Sequence, residues 1–160
     1  MATLPQLIEE DICEMEGALQ ELLLKCEGEA AIIIDKGGFL INQVGAAQRF
    51  DTTTLAALSA ASFAATETIA SLVSEPNFSS VYQQGESHSL LVLNVDEYCL
   101  LTVIFDAKIS VGAVKYFAVP TAKRIARQLK KAQRRAPTAG LDLSELNLAD
   151  PTPLFRKKAS

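Results

Sequence analysis

Between Asp51 and Glu75 the chain runs through a long helical pattern in which Glu67 is the only charged residue. A helix with water on one side normally carries Lys and Glu there, so this segment constrains the fold more than any other. On a 3.6-residue wheel Leu55, Leu58, Ser62, Ala65, Ile69 and Leu72 fall together, with Phe63 and Val73 flanking them. That stripe is expected to face the core. The opposite face reads Ala57, Ala60, Ala61, Ala64, Thr68 and Ser71, all small and uncharged. Small residues let a second backbone approach closely, and an uncharged apolar surface marks a contact. The helix is thus expected to be covered twice, by its own sheet and by a partner. A chain of 160 residues has few further elements with which to bury the second face itself.

Apolar residues make up 49% of the chain and the net charge is −4, as expected for a globular domain with a sizeable core. The N-terminus shows no basic region followed by an apolar run and a small-residue cleavage site. No apolar stretch is expected to be long enough to span a bilayer. Cys13, Cys26 and Cys99 are scattered without metal-ligand spacing. They read as reduced thiols of a cytoplasmic protein, with no metal and no cofactor implied.

Charge is segregated. Glu9, Glu10, Asp11, Glu14, Glu16, Glu21, Glu27 and Glu29 lie early; Lys123, Arg124, Arg127, Lys130, Lys131, Arg134 and Arg135 lie late. Such a basic run could suggest nucleic acid. The acidic overall balance and the lack of interleaved aromatics argue against it, and an acidic first helix beside a basic last helix accounts for both runs.

Apolar positions at steps of three and four predict a first helix over residues 4–26. Two short apolar runs, 30–35 and 39–44, flank Asp35-Lys36-Gly37-Gly38, a hairpin turn. The long helix follows, capped by Asp51 or by one of Thr52–Thr54, and ends before Pro76. Strands are expected at 79–84, 89–95 and 98–105. A last helix begins either at Ser110, with a kink at Pro120, or at Pro120 itself. The element order α-β-β-α-β-β-β-α describes an α+β sandwich with one five-stranded, mostly antiparallel sheet. Residues 1–135 are expected to form one domain and residues 136–160 a flexible tail, although its leucines and Phe155 could dock on something.

This order and several segments resemble the roadblock (dynein light chain) family, in particular its MglB-like branch of gliding-motility and polarity regulators. The segments are Ile34-Asp35-Lys36-Gly37-Gly38, Phe50-Asp51-Thr52-Thr53-Thr54-Leu55-Ala56, Gly85 before a strand, Val103-Ile104-Phe105-Asp106 and Ser110-Val111-Gly112. The resemblance implies a homodimer in which second helices pair and edge strands join two sheets into one. It also implies a Ras-like small GTPase of the MglA type as partner, whose GTP hydrolysis is accelerated by holding the GTPase's own switch residues in place. The implied GTPase surface maps to Ala60, Ala61, Ala64 and Thr68, where Thr68 is bulkier than the glycine the family pattern leads one to expect. Two other readings stand beside it: a roadblock scaffold that binds without changing hydrolysis, and a small-molecule sensor.

Enzyme chemistry of the chain's own is not expected. It has no G-x-x-x-x-G-K-[ST] phosphate loop, and Gly37-Gly38 turns a hairpin instead of opening a helix. His88 reads as structural and Cys99 as a core residue. Arg49, in the loop before the second helix, could reach a partner's nucleotide but reads more simply as a solvated charge.

Overall fold

A computed structural model describes residues 3–135. Along the chain come α1 (Glu9–Cys26), β1 (Ala30–Asp35), β2 (Leu40–Gly45), a 3-10 turn (Ala47–Arg49), α2 (Thr52–Leu72), β3 (Ser80–Gln84), β4 (His88–Asn94), β5 (Cys99–Asp106) and α3 (Val111–Arg134). The strands form one antiparallel sheet in the order β2-β1-β5-β4-β3. The expected α+β sandwich is therefore present, and the tail expected from residue 136 lies outside the described residues.

Three layers follow from the side-chain alternation of the central strands. Ile33, Leu101, Val103 and Phe105 point to one side and pack with Met15, Leu19 and Leu22 of α1 and Val114, Ala118, Ile125 and Leu129 of α3. Ile32, Ile34, Val92 and Leu100 point to the other side, under Ala56, Ala60 and Phe63 of α2. Buried on both faces, β1 and β5 read as continuous apolar runs rather than alternating ones.

Acidic α1 lies beside basic α3, as the charge pattern predicts. Arg124 bridges Glu14 (2.7 Å) and Glu21 (2.9 Å). Arg135 makes two hydrogen bonds to the fully buried carboxylate of Asp11, at 2.8 and 3.0 Å. Asp11 also accepts from Gln128 Nε2 at 2.7 Å and from the backbone N–H of Ile8 at 2.9 Å. That last bond starts the helix at residue 9, later than the periodicity of Leu4 and Ile8 predicts. These two apolar residues precede the helix, and Leu4 still packs against the core. The last helix takes the longer of its two predicted forms. It starts after Ser110 and carries Pro120 inside, on its exposed side, where a carbonyl deprived of its partner stays within reach of water.

Candidate functional site: the outer face of the second helix

Asp51 opens α2 by accepting hydrogen bonds from Thr54 N (3.1 Å) and Thr54 Oγ1 (2.6 Å). The helix then lies on the sheet through Ala56, Ser59, Ala60, Phe63 and Ala70. This corrects the wheel reading. Leu58, Ile69, Leu72 and Val73, expected in the core, are 63%, 51%, 79% and 61% exposed. Leu55 and Ser62 are half-buried and Ala65 is exposed. The cause is lack of contrast: with one charge in 21 residues, every face is apolar enough to pass for the core face. Packing decides instead. Ile32, Ile34, Val92 and Leu100 fill the sheet surface, and small α2 residues let the helix come close.

Of the six residues on the small stripe, Ala57, Ala61, Ala64, Thr68 and Ser71 are exposed. Ala60 is only 6% exposed and packs beneath the helix with Ile32 and Ile34. The exposed face is thus wider than the stripe, because Leu58, Ile69 and Leu72 adjoin it, residues the wheel assigned inward. The face has few free polar groups. Thr68 Oγ1 donates to Ala64 O (3.3 Å) and Ser71 Oγ to Thr68 O (2.6 Å), so both hydroxyls bond their own helix. By length, and by a mean hydropathy of 1.3 over its best window, α2 would pass as a membrane span, contrary to the expectation of no such stretch; 28% of that window is buried here. Its packing on β1 and the rest of the sheet accounts for one face and leaves the other uncovered.

The β1–β2 hairpin borders this face. Gly38 has φ +98°, and a Cβ there would come within 3.2 Å of Ala57 Cα, so the hairpin tip rests on the helix backbone. Lys36 stands 5.8 Å above the Phe63 ring and 3.6 Å from Glu67. Between hairpin and helix lies a cleft of about 430 Å³ whose walls include Asp35, Lys36, Ala64, Glu67 and Glu97.

The remaining candidates lie elsewhere. Arg49 sits 3.7 Å from Glu29 with its guanidinium over Phe50 at 5.9 Å, and His88 lies 3.4 Å from the same Glu29. Arg49 thus ties the loop before α2 to the start of β1, and His88 of β4 meets that loop through the edge of the Phe50 ring, centroids 5.9 Å apart. Cys99 is fully buried, and burial raises its thiol pKa far above the usual value. Among the described residues no group of three or more His, Cys, Asp or Glu is placed to hold a metal.

A roadblock/LC7 domain model matches residues 15–105, more than half of the sequence, and the chain belongs to the roadblock/LC7 family. Its architecture is that of a roadblock-type regulator. Among solved structures it is similar to Myxococcus xanthus MglB (27% identity, TM-score 0.75, covering 82% of this chain and 98% of that one). It is similar to the same degree to the gliding protein MglB of Thermus thermophilus (28%, 0.74, 82% and 99%). An MglB solved in a tetrameric arrangement gives 29% identity and a TM-score of 0.76, over 82% and 99% of the two chains. No curated protein sequence matches the chain.

Proposed function

We propose that the chain is a cytoplasmic, homodimeric regulator that binds a Ras-like small GTPase of the MglA type and stimulates its GTP hydrolysis in cell polarity or motility. The observation that carries this reading is the outer face of α2: uncharged, its hydroxyls turned back on the helix, with leucines and isoleucine left in water. Similarity to MglB over nearly the whole of that protein supports the same reading. A patch of this kind is stable in a soluble protein when a partner covers it. Leu58, Ile69 and Leu72 suit pairing with a second copy, while Ala57, Ala61, Ala64, Thr68 and Ser71 suit the close approach of the GTPase.

The chemistry stays with the GTPase. Hydrolysis needs a positioned water and charge stabilisation at the γ-phosphate, commonly from an arginine. Arg49, the basic residue nearest in sequence to the start of α2, is engaged with Glu29 and Phe50. As the family resemblance implies, the regulator acts by holding the partner's switch segments in their competent arrangement, a positioning effect.

Single-turnover GTP hydrolysis by an MglA-type GTPase, with and without molar excess of this chain, tests the proposal. A large, saturable acceleration is expected. Binding with an unchanged hydrolysis rate would make the chain a scaffold instead, and no binding would end the reading.

A further inference from the structure

Along the outer side of α3, Tyr116, Pro120, Lys123, Arg127, Lys130 and Arg134 recur at steps of four and three and form one stripe, and all six are exposed. The acids of α1 are engaged by other basic residues: Glu14 and Glu21 meet Arg124, Glu10 meets Lys131 and Asp11 meets Arg135. Among the described residues none of the four cations of the stripe is in an ion pair. At the start of α3 the stripe borders a groove of about 530 Å³ against α1, with Leu22, Tyr116, Phe117 and Pro120 in its walls beside Lys25 and Arg127.

The chain itself carries a segment of complementary chemistry. In residues 141–150, LDLSELNLAD, Leu141, Leu143, Leu146 and Leu148 are interspersed with Asp142, Glu145 and Asp150, and no base occurs. The segment follows Arg135 after residues 136–140, which include Pro137 and Gly140, residue types suited to a reversal of direction. Ten residues reach at most about 33–36 Å, and the helix from Tyr116 to Arg134 spans about 27 Å, so the segment is long enough to run back along the whole stripe.

We propose that residues 141–150 dock on the chain's own α3, with leucines in the groove beside Tyr116 and Pro120 and the three carboxylates against the basic stripe. Charge selects this surface over the other two helices. The outer side of α1 presents acids, and the outer face of α2 has no cation on the helix to meet a carboxylate. Tethering selects this occupant over an outside acidic ligand, since a short linker holds the segment at roughly millimolar effective concentration. Single surface ion pairs are weak, but several converging on one stripe act together with the buried leucines. Once docked, the segment covers the basic stripe and keeps acidic polymers off it.

The test is paramagnetic relaxation in the full chain, with a nitroxide attached through Ser144→Cys in a Cys13→Ser background; Cys26 and Cys99 are buried and stay unlabelled. Amide signals of residues 116–130 should be lost and those of α2 kept. Lys123→Glu, Arg127→Glu and Lys130→Glu together, all at exposed positions, should restore the α3 signals. Adding Asp142→Lys, Glu145→Lys and Asp150→Lys should remove them again. Raising the salt concentration on the unreversed chain should restore them without any substitution on α3. In a mixture of nitroxide-carrying chain with isotope-labelled chain lacking the nitroxide, the α3 signals of the latter should stay intact. Broadening confined to α2, or absent altogether, would overturn the proposal. So would α3 broadening that survives both the charge reversal and high salt, or broadening passed between chains in the mixture.

Discussion

Asp11 shows how one residue joins two helices. Its carboxylate has no exposed surface, and the hydrogen bonds from Arg135 hold its pKa far below the usual carboxylate range, against the opposing effect of burial. An acid whose folded pKa is lowered contributes stability that is fully present above its unfolded value, about 4, and is lost as pH falls toward the folded value. Arg135 is a third exposed, which limits the strength of the pair. Asp11→Asn should therefore lower stability by about 1–2 kcal/mol at pH 7, with the difference shrinking below about pH 4. Urea unfolding at pH 7 and pH 3 checks this, and a difference that grew on acidification would contradict it. The thiols give a second prediction at this scale. Burial raises the pKa of both Cys26 and Cys99, whereas Cys13 is exposed. A thiol reagent should label Cys13 promptly in the native protein, and the other two only after denaturation.

At the scale of elements, legibility in the sequence depended on contrast. The turn at Gly37-Gly38 and the paired charge runs of α1 and α3 carry strong local signals, and the structure has them where the sequence puts them. Helix α2 has almost no contrast, so its existence and a cap within residues 51–54 were legible, but the choice of Asp51 and the helix orientation were not. Ala60 and Ala64 are indistinguishable as letters. Only the packing of Ile32 and Ile34 under the helix separates them. Phe39 escaped for a related reason: an apolar residue next to a strand reads as part of the strand, yet it stands at the hairpin tip and is exposed. The difference is measurable. Ala60→Arg should destabilise the fold by about 3 kcal/mol or more, since it forces a long charged side chain into a packed helix–sheet contact. Ala64→Arg should stay within about 0.5 kcal/mol of wild type, as exposed substitutions do, while weakening GTPase binding. Thermal unfolding and a binding titration on both variants separate the two roles.

The whole molecule divides its labour by layer. The α1–α3 layer is closed by apolar packing and by ion pairs that span the two helices, and it gives the sheet a fixed backing. The α2 layer is one helix thick, carries no charge on its outer side but Glu67 at its edge, and is edged by the hairpin tip; in the function proposed above it is the surface for association. Hydrogen exchange of the full chain, alone and with an MglA-type GTPase carrying a non-hydrolysable GTP analogue, reads this division directly. The account predicts slowed exchange along α2 and at residues 36–39, with α1 and α3 unchanged. Protection confined to α1 and α3, with α2 exchanging as in the free chain, would contradict it.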